Sequence, residues 1–215
     1  MIRIKNEHVT GFEAAIRGMR NPLESWDKSD TKYFDNCGVF RVPEIGLNDL
    51  KLMKRLRKAG SDHAKYLRMI NVTADITAPL YWWKEYDTYK VATVANSCST
   101  MHKIQAKEFT LDDFSHEHLN KISIEVLKNV ILALNEARQD FIGYKEKEYW
   151  WQMIQLLPTS YNQKRTVHLN YEVLGIIYRQ RRHHKLDEWH VFCDTIKTLP
   201  YSKFITREFG DKDDM

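Results

Sequence analysis

The chain has 215 residues, of which 43% are hydrophobic and 29% charged, and a formal net charge of +4. This is ordinary globular composition, long enough to bury a core without a disulfide or metal staple, and it argues against disorder. The mild positive balance permits attraction to phosphate-bearing partners without requiring it. Cys37, Cys98 and Cys193 are widely spaced and include no Cys-x-x-Cys pair, which fits a reducing compartment. The opening residues lack the apolar run of a signal peptide, and no stretch approaches a membrane span, so a cytoplasmic protein is expected.

In chain order, Ile2 and Ile4 alternate with Arg3 and Lys5, an edge-strand signal, and Asn21-Pro22 and Lys28-Ser29-Asp30 read as loop. Leu50, Met53 and Leu56 predict a helix from Leu47 to Gly60, followed by a second from about Asp62 through Tyr66 and Ile70. Ala74 to Ala78 suits a strand, and Pro79 sits well in the first turn of a helix from Leu80 to Lys90. Val91 to Met101, rich in small and hydroxylated residues, reads as a loop. Leu119, Ile122, Val126, Val130, Leu134, Ala137 and Phe141 predict a long amphipathic helix. A polar stretch after Leu157-Pro158 leads into a helix carrying Val167, Leu174, Ile177 and Tyr178, and a last helix holds Trp189, Phe192, Cys193 and Ile196. The pattern predicts a helix-rich α+β chain with a small antiparallel sheet, read as a single domain over 1–215.

Four groups of residues have chemistry to offer. Asn170 and Arg181 lie eleven residues apart, about three helical turns, so that on one helix an amide and a guanidinium share a face and suit a nucleotide. The plainer alternative is a solvated basic helix end, since Arg179, Arg182 and Lys185 lie beside them. Ser97, Cys98 and Ser99, flanked by Lys90 and His102, could supply a nucleophile or an anion-binding turn, or be simple loop. The run His183, His184, Asp187, Glu188, His190 contains zinc-ligand types at a spacing that matches no metal motif. Tyr81, Trp82, Trp83, Tyr86 and Tyr89 suit a core or a stacking platform. Gly-rich phosphate loops and Gly-x-Ser-x-Gly are absent, which removes Rossmann, P-loop and hydrolase readings.

Two segments together resemble the flavin-dependent thymidylate synthases. Ala78-Pro79-Leu80-Tyr81-Trp82-Trp83 through Lys90 resembles that family's Ala-Pro-aromatic helix, which ends in an Arg-His-Arg signature, and Val91 to Ser99 resembles the loop after it. Leu157-Pro158 through Arg181 is similar to the family's Leu-Pro segment and following helix, and Glu188-Trp189 takes the place of a Gln-Trp pair. The similarity runs from about residue 47 to 200 and is weak over 1–45. It implies FAD as cofactor, methylation of dUMP to dTMP or work on a related pyrimidine nucleotide, a folate carbon donor with NADPH, and a homotetramer. Carried residue by residue, it implies Ser99 or Cys98 as the catalytic position, Arg181, Asn170 and Glu85 at the substrate, and Thr88, Tyr89 and Lys90 at the cofactor.

The departures are chemical. Thr88, Tyr89 and Lys90 replace the Arg-His-Arg, Glu85 replaces a Gln, and Met101, Ile154 and Glu172 stand where the family has arginines. Each lost charge-assisted hydrogen bond is worth about 1.5–3 kcal/mol, so three losses remove orders of magnitude in affinity unless other residues compensate. The alternatives are therefore an active flavoprotein methyltransferase, an enzyme on a related pyrimidine with another carbon donor, or an inactive relative that binds a nucleotide or nucleic acid.

Overall fold

Residues 2–34 and 42–209 are described by the structure, a computed structural model; Cys37 lies outside them. Four strands, β1 (Arg3–Thr10), β2 (Asn71–Pro79), β3 (Val94–Ser97) and β4 (Asn162–Asn170), form one sheet in the order β1-β2-β4-β3. The sheet is antiparallel, and the expected edge strand at the start of the chain is β1. The helices are α1 (Phe12–Arg20), α2 (Leu47–Lys58), α3 (Leu80–Tyr86), α4 (Thr100–Lys103), α5 (Lys121–Tyr144), α6 (Lys147–Leu156), α7 (Tyr171–Arg181), α8 (Asp187–Thr198) and α9 (Lys203–Thr206). The helix-rich α+β expectation is met. The chain divides into two compact units, one of 1–3, 75–88 and 95–166, the other of 4–74, 89–94 and 167–215.

In the first unit α5 packs along α6. Leu127, Ile131, Leu134 and Ala137 recur at helical spacing on α5 and are buried together with Met153, Ile104, Phe109 and Phe114. Asn120 starts α5 by accepting from the Ser123 N–H at 2.9 Å. Side chains of α5 and α6 then pin α4 and the segment that follows it. Asn135 clamps Phe109 by both its N–H (2.8 Å) and its carbonyl (2.9 Å), Arg138 Nε donates to the Gln105 carbonyl, and Trp150 Nε1 to that of Met101. On α3, Trp82, Trp83 and Tyr86 are buried with ring centroids 4.9–5.2 Å apart. Those three rings are core, while Tyr81 and Tyr89 of the same run are half-buried.

The second unit is organised by a buried ion pair. Arg20 Nε donates to Asp49 Oδ1 at 2.7 Å, with the side chains 4% and 0% exposed. The other Asp49 oxygen accepts from Ser29 Oγ, Thr31 Oγ1 and the N–H groups of Asp30 and Thr31. Helix α2 has Gly46 at its cap position, so the distant Asp30 supplies the cap, accepting from the Asn48 and Asp49 N–H groups at 2.9 and 3.1 Å. A Cβ on Gly46 would lie 2.2 Å from the Asp30 carboxyl carbon, so only glycine lets this cap approach.

Several local expectations differ from the structure. The segment after Gly60 makes only a 3-10 turn over Lys65–Arg68. Pro79 is the N-cap of α3, which stops at Tyr86. The loop expected over 91–101 contains β3 and the start of α4, and Val167 lies on β4, ahead of the helix. Helices α1 and α6 were not foreseen.

Two outcomes are expected. Burial by itself raises the Asp49 carboxyl, but hydrogen bonds from Thr31, Ser29 and Arg20 outweigh it and hold the group below the usual carboxylate range. The folded value lies below the unfolded one, so its stabilisation is complete above about pH 4 and is lost as pH falls through the folded value. Asp49→Asn should cost about 3–5 kcal/mol at pH 7, since Arg20 stays buried without its counter-charge, and should lose this part of the acid dependence; melts from pH 7 to 2.5 measure both. At Gly175 on α7, a Cβ would meet Arg57 Nη2 at 2.8 Å and the Ile205 carbonyl oxygen at 3.1 Å. Gly175→Ala should therefore destabilise by about 1–3 kcal/mol despite its better helix propensity, as denaturant titration would show.

Candidate functional site

Strand β4 carries the site's foundation. Gln163, Arg165, Val167 and Leu169 alternate onto one face with Lys164, Thr166 and His168 on the other. On the first face the two leading residues are polar, and both are bonded. Buried Gln163 donates from Nε2 to the Cys98 carbonyl (2.8 Å) and accepts from Arg165 Nε at its Oε1 (3.0 Å). Arg165 also reaches Asp87 at 2.8 Å and lays its guanidinium over the Trp83 ring, 4.3 Å from the centroid. Trp83 Nε1 in turn donates to the Gln163 carbonyl at 2.9 Å. The Cys98 N–H pairs with the Lys164 carbonyl, also at 2.9 Å. The Cys98 peptide is thus held on both sides by β4, and β4 is braced against α3.

These bonds hold Cys98 and Ser99 at the wall of a cavity of about 450 Å³ within the first unit, a size that suits a small-molecule ligand. Thr77 of β2, Thr100 of α4, and Asn162 and Gln163 of β4 add polar groups; Phe109 and Tyr161 add an aromatic wall. Four cations, Arg3, Lys103, Lys107 and Lys164, line it against two carboxylates, Asp112 and Asp113. Lys107 pairs with Asp113, and Lys164 with Asp75 at 2.9 Å. Burial, then Asp113 and Cys98, push the Tyr161 phenol upward, so it stays a neutral donor at physiological pH.

The two alternatives for the catalytic position both line this cavity. Ser99 Oγ accepts from the His102 N–H at 3.0 Å as the N-cap of α4, which leaves its hydroxyl proton available to donate. Cys98 is exposed. Cys193 is buried on α8, with its thiol pushed up to about 11 by burial and Asp194.

In the second unit, Arg181 Nε donates to the Tyr89 hydroxyl at 2.9 Å, and Tyr89 meets Gln180 Oε1 at 2.8 Å. The guanidinium lies 4.9 Å from the Trp189 ring centroid. Asn170 does not share a helix face with Arg181. It ends β4 with extended backbone, is buried, and accepts from the Val173 N–H at 3.0 Å as the cap of α7. The shared-face geometry read from the spacing is corrected, because β4 runs up to Asn170 and the helix starts one residue later. Glu172, where the family has an arginine, pairs with Arg68.

Two of the three positions that the resemblance assigns to the cofactor have internal partners. Thr88 Oγ1 donates to the Glu85 carbonyl at 2.8 Å, closing the end of α3, and the Tyr89 hydroxyl is engaged by Arg181 and Gln180. Glu85 is half-buried and Lys90 exposed. Of Thr88, Tyr89 and Lys90, only Lys90 carries a charge; this set does not fit a clamp for the phosphates of FAD. In the histidine run, His184 Nδ1 accepts from the Leu186 N–H and His190 faces Asp187 at 3.6 Å. No group of three or more His, Cys, Asp or Glu suited to a metal occurs among the described residues. Nor is any helix among them long and apolar enough to cross a membrane.

Sequence reasoning missed Gln163, Asn162, Lys164, Thr77 and Lys103. The signal for the β4 residues was the two-residue alternation from Gln163 to Leu169, half hidden by polar side chains on its inner face.

The sequence matches no known family profile and no curated protein. Solved structures do match. The flavin-dependent thymidylate synthase ThyX of Helicobacter pylori, complexed with FAD and dUMP, superposes with a TM-score of 0.68 at 17% identity, covering 96% of this chain and 98% of that one. A second complex of that enzyme with FAD and dUMP gives 0.65 at 17% identity over 97% and 98%. The UMP/dUMP methylase PolB of Streptomyces cacaoi, bound with 5-Br dUMP, gives 0.63 at 12% identity over 98% and 95%. Over nearly its whole length, this chain has the fold of the flavin-dependent thymidylate synthases.

Proposed function

We propose that the chain binds a pyrimidine nucleoside monophosphate in the cavity lined by Ser99 and Cys98 and acts on its base in a thymidylate synthase-like reaction. The observation that carries this reading is the cavity itself: a hydroxyl and a thiol on a segment fixed by β4, with cations and an aromatic wall around one space. Lys103 and Arg3 suit the phosphate, the amides of Asn162 and Gln163 suit the edge of a pyrimidine, and Tyr161 or Phe109 suits its face. Support also comes from the fold, since the neighbours named above were solved with dUMP or 5-Br dUMP. Arg181, Asn170 and Glu85 belong to this reading through the family resemblance alone.

The reading carries the nucleotide further than the flavin. FAD is present in the Helicobacter pylori complexes, yet Thr88 and Tyr89 here spend their hydroxyls within the chain, so no step is assigned to a flavin. This favours a second reading, a relative that retains nucleotide binding without flavin chemistry.

One experiment separates these. In a Cys37→Ser background, iodoacetamide should modify exposed Cys98 quickly and buried Cys193 slowly, and saturating dUMP should slow the Cys98 reaction at least tenfold. An unchanged rate with no calorimetric heat would end the nucleotide reading. If dUMP protects, mass spectrometry of the nucleotide after incubation with reduced flavin and folate donors tests turnover; Ser99→Ala should then reduce it more than Cys98→Ala. Protection without any mass gain identifies the binding-only relative.

A further inference from the structure

We propose that the second unit carries a separate site for a compact phosphate-bearing small molecule, of diphosphate or triphosphate character. The site is a cavity of about 620 Å³ between the loop after α1 and one face of α2. Asn48, Lys51 and Arg55 follow one another at helical spacing, so they present an amide and two cations from the same face. Lys28 faces them from the loop, and Leu23 and Leu52 supply apolar surface. No carboxylate lines this cavity among the described residues.

The site is built rather than a chance crowding of surface lysines. Its inner wall includes Arg20, 3% exposed, whose guanidinium also holds the Ser25 carbonyl at 2.9 Å and the Lys28 carbonyl at 3.0 Å. The loop that presents Lys28 is therefore fixed before any ligand arrives, which lowers the ordering cost of binding. The nearby acids are spent elsewhere: Asp49 on Arg20, Ser29 and Thr31, and Asp30 on the two N–H groups that open α2. Glu24 and Asp27 lie on the same loop outside the lining. Lys28, Lys51 and Arg55 thus repel one another around one space, and a polyanion relieves that repulsion. Convergence into one cavity, rather than spread along a stripe, favours a compact ligand over a nucleic-acid strand.

The full chain titrated calorimetrically with inorganic pyrophosphate and with ADP tests this. Binding should be salt-sensitive, and Lys51→Glu/Arg55→Glu should weaken it at least tenfold while circular dichroism stays unchanged. Lys121→Glu/Lys128→Glu, an equal change of net charge placed on α5, should leave it intact. So should Lys103→Glu, which belongs to the Ser99 cavity, so failure here and failure of the nucleotide reading stay distinct. The proposal is overturned by absence of pyrophosphate binding, by equal loss in the α5 pair, or by loss on Lys103→Glu instead. A single-stranded oligonucleotide that binds through Lys51 and Arg55 where pyrophosphate does not would replace it with a nucleic-acid surface.

Discussion

The amide of Gln163 is where the chemistry of the first unit begins. One end holds the Cys98 carbonyl and the other accepts from Arg165, which stacks on Trp83 and reaches Asp87. A buried amide left unsatisfied costs more than a paired one gains, so these partners are mutually enforcing. Cys98 and Ser99 lie at the end of a short, wholly exposed strand with little apolar burial of its own. Their position is set by bonds to β4. The opposite wall of the cavity is fixed by a different device, the clamps from Asn135, Arg138 and Trp150 onto the segment from Met101 to Phe109.

Buried charge plays the corresponding part in the second unit. Arg20 and Asp49 are each surrounded by partners, and their geometry ties the end of α1, the following loop and the start of α2 together. A pair of this kind is poor evidence of net stability but fixes one arrangement, because each alternative leaves a charge unmet. Tyr89 and Trp189 restrain Arg181 in a comparable way. Tyr89, which the resemblance aligns with the middle of the family's Arg-His-Arg, is thus an internal partner for an arginine that the resemblance places at the nucleotide.

Much of the fold was legible where burial follows a simple period. Helix α5 was legible as a helix, but the face read from Leu119, Ile122 and Val126 is exposed, and Leu127 and Ile131 take the buried positions before Leu134 and Ala137. Helix α8 was legible through Trp189, Phe192, Cys193 and Ile196, and the core of β2 through Ala74 to Ala78. Strand β4 was not, because Gln163 and Arg165 take inward positions that the pattern reserves for apolar side chains. That error moved Asn170 onto a helix face, when its role at the strand end is to cap. The candidate site was half visible: Ser99 and Cys98 stood out by residue type and by family likeness. Its other walls come from β2, α4, the segment after it and β4, and only folding brings such distant pieces together. The positions that the resemblance assigns to the flavin show the converse, since residue types there suggested weakened binding and the hydrogen bonds of Thr88 and Tyr89 show what those side chains engage.

The most direct measurement of this account is amide hydrogen exchange at Cys98 in Gln163→Met, a substitution of similar volume that removes both amide functions. The Cys98 N–H, bonded to the Lys164 carbonyl in the parent chain, should exchange at least tenfold faster, while the Val173 N–H under its Asn170 cap should keep its protection. Unchanged protection at Cys98 would mean that the reactive segment holds its place without Gln163, and would contradict the claim that the polar face of β4 builds the site.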